Sequence, residues 1–216
     1  MKILGIELSS CLRSVAVYDN LSGESSAVRD IGIKSTGVFG MISKVLEQAG
    51  IGPEQIQQIA VGLGPGSYTG IRIAISAAQG WGLARNVKLK GISSVECMAA
   101  GAWREGRRGD VYFAVDAQRR EFYLEGYVLD DDGWRVSSKL ALVGTSCIEQ
   151  LMRNGCRVLG PGLKDFFADT EEFYPDAGTL AKLASKSGEF MAAEELKPIY
   201  LRPTAFIKAP PPRFSG

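Results

Sequence analysis

Residues 59–85 read IAVGLGPGSYTGIRIAISAAQGWGLAR, and this stretch organises the chain. Ile59, Ala60 and Val61 have the character of a buried strand. Gly62, Gly64 and Gly66, with Pro65 between the last two, form a loop without bulk near the backbone. A helix is expected to start at Thr69 or Gly70 and to run to about Arg85. Strand, glycine loop and helix N-terminus gather free backbone N–H groups, an arrangement that attracts anions. Known loop codes are not matched. Gly70 precedes Ile71 rather than lysine, so the G-x-x-x-x-G-K-[ST] phosphate loop is absent. Gly64 and Gly66 begin G-x-G-x-x-G, but the next glycine, Gly70, falls one place late. A tight strand-to-helix turn that binds nothing is therefore the stronger reading of the loop alone.

The helix after the loop is built from small residues. Ile71, Ile75, Ala78 and Trp81 share one face, and Ala74, Ser76, Ala77, Gly80 and Ala84 leave the rest with little bulk. Such a helix admits a close neighbour, in a core or across a subunit boundary. Arg72 lies in the first turn, where the helix dipole disfavours a cation. It is expected to meet an acid from elsewhere or to stand in solvent.

Upstream, 3–8 is an apolar strand ending near Glu7 and the Ser9-Ser10 turn; 14–18 and 25–31 complete a three-stranded meander. Glu7 is an acid inside an apolar strand, so it either takes backbone N–H bonds from the turn or has a functional role. A helix is expected over 36–49, with Val38, Met41, Ile42, Val45, Leu46 and Ala49 on one stripe and Gly50 as its terminator.

Downstream, 88–92 is a strand and Ser93-Ser94-Val95-Glu96 a capping box that opens a helix over 95–103. The loop at 104–110, with Arg104, Arg107 and Arg108, marks a boundary between halves. Its arginines suit a solvated loop better than a nucleic-acid contact, because no aromatic residues interleave them. A second meander follows. Its first strand ends at Asp116, its second covers 121–129, and its third begins at Trp134 after the Asp130-Asp131-Asp132-Gly133 turn, which lacks calcium-loop spacing. A helix over 145–154 and a strand at 157–159 lead to Gly160-Pro161-Gly162. This echoes Gly64-Pro65-Gly66, with another helix expected after it, and implies a worn-down duplication. A last helix is expected over 178–190, then an extended 198–203 and a proline-rich tail.

The 216 residues suffice for one large or two small domains, and the formal net charge of +1 gives no global pull toward nucleic acid or membrane. Four scattered cysteines, Cys11, Cys97, Cys147 and Cys156, suit free thiols in a reducing compartment. No signal-peptide layout or membrane-length apolar run is seen, so a soluble, cytoplasmic protein is expected. The chain has no histidine. Ser–His and Cys–His nucleophile pairs, and the commonest transition-metal ligand, are thereby excluded within it.

The run GLGPGSYTGIRIAISAAQG, 62–80, resembles the signature of the TsaB (YeaZ) family of bacteria, and weaker likenesses extend it over nearly the whole chain. They include the Ser9-Ser10 turn, the Ser93-Ser94 turn, the Asp116-Ala117 strand end and Tyr200-Leu201-Arg202. The resemblance implies an α/β fold of the ASKHA (actin-like ATPase) type: two RNase-H-like halves of mixed sheets flanked by helices. The halves would be 1–105 and a smaller 106–208, with a flexible tail at 209–216. It implies a subunit without catalysis of its own, supporting a TsaD-type catalytic subunit, with a TsaE-type ATPase, in threonylcarbamoyl transfer to the tRNA adenosine next to the anticodon. tRNA would be met only through the complex. Self-association is implied through the two helices at 36–49 and 70–85, which makes Val38, Met41, Ile42, Val45, Ile71, Arg72, Ile75, Ala78 and Trp81 the expected contacts. No tightly bound cofactor and no metal are expected. The alternative is an ATPase or phosphotransferase acting alone on ATP or ADP with magnesium, through Glu7, Ser9, Gly64, Gly66, Ser67 and Thr69, with Asp116 as a second candidate ligand for the metal. Two departures stand out: Lys34 precedes Ser35 where the family commonly has histidine, and Glu7 replaces the usual aspartate.

Overall fold

The computed structural model describes residues 1–31, 37–186 and 188–201. The Lys34-Ser35 pair, the expected helix start at Thr36 and the proline-rich tail lie outside them. Two five-stranded sheets form the frame. In the first, β1 (Lys2–Glu7), β2 (Leu12–Asp19) and β3 (Ser25–Ile31) make an antiparallel meander, and β4 (Ile56–Gly62) and β5 (Lys88–Ile92) add in parallel on the other side of β1. The spatial order is β3-β2-β1-β4-β5.

The second sheet repeats this plan. Strands β6 (Gly109–Asp116), β7 (Glu121–Leu129) and β8 (Trp134–Gly144) are the meander; β9 (Arg157–Gly160) and the two-residue β10 (Glu171–Glu172) add in parallel. Read outward from β8, the order is β8-β7-β6-β9-β10, the same as in the first sheet. Strands β4 and β9 hold equivalent places, and each leads into Gly-Pro-Gly. The echo read in the sequence thus reflects a repeated topology.

The helices are where the halves differ. α1 (Val38–Gln48) and α2 (Tyr68–Arg85) cover one face of the first sheet and share a core with Leu4, Ile6, Val15, Ile59 and Val61. α2 begins at an N-cap serine, Ser67, whose side chain accepts from Gly70 N, and ends at Asn86 in the left-handed conformation. In the second half α4 (Thr145–Arg153) stands in the place of α1, burying Ile148 against Phe122, Leu124 and Val158. The helix expected after Gly160-Pro161-Gly162 is not formed. A single 3-10 turn, Leu163–Asp165, takes its place, because Leu163, Phe166 and Phe167 are followed by Asp169 and Thr170 with no further apolar turn to bury.

α3 (Ser94–Arg104) and α5 (Ala177–Lys186) cross over between the halves. α3 packs Val95, Met98, Ala99 and Ala102 on the second sheet with Phe113 and Tyr127, whereas α5 packs Leu180, Ala181 and Ala184 on the first sheet with Ile3 and Ala60. Met191 then pairs with Leu89, and Ile199 N donates to Leu63 O at 2.9 Å. A division at 105–106 therefore follows the two sheets but not the packing, since the chain beyond Asp176 returns to the first half. α5 also ends at Lys186, short of the expected 190; Phe190 lies outside it with Lys88 Nζ over its ring.

Candidate functional site

Two places on the molecule carry the sequence-derived candidates: the cleft between the halves, and the outer face of α1 and α2. The cleft has a volume of about 490 Å³ and lies at the C-terminal ends of β1 and β6. Ser9, Gly66 and Ser67 line it from the first half; Asp116, Gln118 and Gly162 line it from the second. Sequence reading thus brought three of its six loop candidates to the cleft. Glu7 and Gly64 lie buried beneath it, and Thr69 is exposed beside the α1–α2 groove instead.

The glycines serve a close approach of the chain to itself. Ser67 N donates to Ser9 O at 2.7 Å, which draws the loop onto the first turn. A Cβ on Gly66 would collide with the Ser9 carbonyl, and one on Gly70 with the Leu8 carbonyl. The Gly64-Pro65 peptide is cis. Beneath the loop, Glu7 ties three segments together. Its Oε1 accepts from Ser9 N at 2.7 Å and its Oε2 from Ser94 Oγ at 2.9 Å; Ser94 Oγ in turn accepts from Gly64 N at 3.2 Å. The carboxyl is fully buried, and burial pushes its pKa above the ordinary range against the pull of these hydrogen bonds. Of the two readings of Glu7, the structure bears out the acceptor of turn N–H bonds. Ser94 was missed as its partner; the Ser-Ser pair after β5 was the available signal.

Several backbone donors around the cleft are engaged within the chain. Besides Ser67 N, Gly70 N donates to Ser67 Oγ and Ile71 N to Ser67 O. In the second loop Gly162 N and Lys164 N donate to Glu172. Asp116 Oδ1 accepts from Gln118 N at 2.7 Å, within a turn where Gln118, Arg119 and Arg120 all have positive φ. Among the described residues no cluster of three His, Cys, Asp or Glu side chains could hold a metal ion.

The α1–α2 face requires a correction. Val38, Met41, Ile42, Val45, Ile71, Ile75 and Ala78, expected as contacts with a partner, are buried in the chain's own core, each less than a tenth exposed. The apolar stripe that marked them is the stripe that covers the first sheet, and a stripe cannot serve both purposes. Trp81 is half-buried beside it. Arg72 alone of the nine is exposed. It meets an aromatic ring rather than an acid: its guanidinium carbon is 4.1 Å from the Tyr68 centroid, and Tyr68 stacks on Tyr200 at 5.6 Å.

What faces outward is a different set. Phe39 on α1 is 66% exposed, and Leu83 on α2 is 84% exposed. Between them Ser76, Gly80 and Ala84 recur every fourth residue along exposed α2, leaving a shallow groove floored by Ala77 and flanked by Phe39 and Trp81. Sequence reading recognised the small helix but chose its inner face. Phe39, an aromatic residue off the 38-41-42-45 stripe, was the overlooked sign.

The basic loop is largely engaged. Arg107 makes a bidentate pair with Glu171 at 2.6 Å for each bond and lies over Phe173; Arg108 bonds Asp131 and the Trp103 carbonyl. Among the described residues no helix is long and apolar enough to cross a membrane, and the four cysteines are free.

Two repeated five-stranded sheets, facing each other across a cleft edged by two Gly-Pro-Gly turns, define the actin-like ATPase architecture of paired RNase-H-like halves. A family model described as "TsaD: tRNA N6-adenosine threonylcarbamoyltransferase" matches residues 35–139. The tRNA threonylcarbamoyladenosine biosynthesis protein TsaB of Escherichia coli (strain K12) is 30% identical over 207 residues, which cover 92% of this chain and 85% of that protein. The protein of the same name from Haemophilus influenzae is 27% identical over 223 residues, 94% of each. Among solved structures, YeaZ from Pseudomonas aeruginosa superposes with a TM-score of 0.78 at 25% identity, covering 93% of this chain and 99% of that one. The chain belongs to the TsaB family.

Proposed function

We propose that this chain is a non-catalytic subunit of tRNA threonylcarbamoyladenosine synthesis, binding and supporting a TsaD-type catalytic subunit, with a TsaE-type ATPase as a further partner. The observation that carries this reading is the likeness to the Escherichia coli TsaB protein along nearly the whole length of both chains. The buried, hydrogen-bonded Glu7 supports a role without nucleotide turnover of its own. The docking surface is the outer face of α1 and α2, with Phe39, Ile73, Ser76, Gly80 and Leu83 as contacts, and the same face serves self-association. It combines exposed apolar side chains with a groove that a partner helix can approach closely.

The experiment is co-purification with TsaD from the same organism, in the presence of TsaE and ATP, followed by a threonylcarbamoyl-transfer assay on tRNA with and without this chain. Stable association and a transfer rate that depends on this chain are expected. Steady ATP hydrolysis by the isolated chain, lost in Glu7→Gln, would instead establish an independent ATPase.

A further inference from the structure

Where α3 and α5 cross, the structure encloses a second cavity, of about 330 Å³, on the side of the first sheet opposite α1 and α2. Its walls come from β3, α3, α5 and the segment after β10. Three cations face it: Arg29 from β3, Arg104 from α3 and Lys182 from α5. Two acids line it, and both are engaged. Asp176 Oδ2 accepts from Arg29 Nε at 3.0 Å and Nη2 at 2.8 Å, while its Oδ1 accepts from Gly178 N and Thr179 N. Glu105 lies 3.5 Å from Arg107.

Arg104 and Lys182 are left over. Among the described residues Arg104 makes one side-chain hydrogen bond, 3.3 Å long, to the neutral Thr179 hydroxyl. Lys182 Nζ lies 5.6 Å from the Tyr18 ring centroid and, among the described residues, makes no ion pair within 4 Å, although the Asp176 carboxylate on the same wall attracts it through space. Burial first and Arg104 second hold the Lys182 pKa below its ordinary value, against the opposing pull of Asp176. Like charges directed into one half-enclosed space repel each other unless an anion sits between them.

We propose that this cavity binds a phosphate monoester of a small molecule, its dianionic head lying between Arg104 and Lys182. Charge selects the class. Two unpaired cations match the nearly doubly negative monoester at neutral pH, whereas a carboxylate or a phosphodiester would neutralise only one. The volume suits a compact metabolite, and the concave walls exclude a duplex. The Thr179 hydroxyl, held by Arg104, and that of Ser25 add polar partners on the wall. Because the walls come from both crossing helices, an occupant would brace the junction of the two halves.

The test is titration of the full chain with methyl phosphate, dimethyl phosphate and inorganic phosphate, followed by calorimetry and by the NMR-detected titration of the Lys182 side chain. Methyl phosphate and inorganic phosphate are expected to bind and to raise the Lys182 pKa, and dimethyl phosphate to do neither. Arg104→Gln and Lys182→Met should each weaken binding by about tenfold or more, the loss of one charge-assisted contact. Lys44→Gln, on the solvent side of α1, should leave it unchanged. Circular dichroism of the phosphate-free variants checks that the fold is intact. Equal binding of the diester, equal binding by the Arg104 and Lys182 variants, or no binding of methyl phosphate at millimolar concentration would each overturn the assignment.

Discussion

Replacing Glu7 separates the two things that its carboxylate does: it carries a charge and it closes a hydrogen-bond network. In Glu7→Ala both acceptors vanish, and the Ser9 amide and the Ser94 hydroxyl are left in a site from which water is excluded. Each orphaned group costs about 1–3 kcal/mol, and the lost methylene adds about 0.8 kcal/mol. Relief from burying a charge offsets part of this, so a net loss of about 2–5 kcal/mol is expected. Glu7→Gln keeps the shape and the acceptor for Ser9 N. Its amide nitrogen then faces Ser94 Oγ, which must turn its hydroxyl away, while the charge is gone; the balance lies within about 1 kcal/mol of the wild type. The pH dependence distinguishes them further. Burial chiefly, with Asp176 adding to it, raises the folded-state pKa of Glu7 above its unfolded value, so the folded state holds the extra proton between the two. Wild-type stability must therefore fall as pH rises from the ordinary carboxylate range through the folded pKa, and then level off. Urea unfolding from about pH 4 to about pH 8, followed by tryptophan fluorescence, gives the difference between wild type and Glu7→Gln at each point. That difference should drift in favour of the glutamine as pH rises. A difference independent of pH, or an alanine variant as stable as the glutamine, would refute this account of Glu7.

Ser76→Glu and Leu83→Glu should abolish association with TsaD in co-purification while leaving the urea midpoint within about 0.5 kcal/mol of the wild type, since both positions are exposed. Ile75→Arg, by contrast, should unfold the chain, because it places an unpaired charge in the core, at a cost of several kcal/mol. Two glycines of α2 should respond in opposite directions. Gly80→Ala, with open space around it, should stabilise by up to about 1 kcal/mol; Gly70→Ala, driven into the Leu8 carbonyl, should destabilise by about 1–3 kcal/mol, as read from denaturant midpoints. The Asp19 carboxyl, held by Lys2 Nζ at 2.7 Å and by the Leu21 amide, should titrate at about 2 by carbon NMR and return toward the ordinary range in Lys2→Ala.

Much of this architecture was legible from local pattern. The alternating runs of β2 and β7, the 3.6-residue stripe of α1 and the serine cap of α3 each state their structure within a few neighbours. The matching sheet orders were foreshadowed by three residues, Gly160-Pro161-Gly162. What could not be read was tertiary choice. Nothing local in 177–186 says that this helix returns to the first sheet while α3 leaves it for the second. The inner and outer faces of α2 were confused for a related reason. Its residues are small on every side, so periodicity alone could not tell the core face from the solvent face, and packing against Leu4 and Ile59 decided it. At the cleft the glycines were rightly singled out as places of close approach. That the approaching group is the backbone at Ser9 rather than a ligand depends on a contact some sixty residues away in the chain.

The short turn at Leu163–Asp165, standing where the first half has the eighteen-residue α2, leaves the two-helix face present on one half only. A molecule with two such faces could add neighbours end to end without limit. With a single face, like copies that met there would be related by a two-fold axis and stop at a pair, and a different protein seated there would displace the twin. On the docking face proposed above, the shortened repeat would make self-pairing and partner binding compete for one seat.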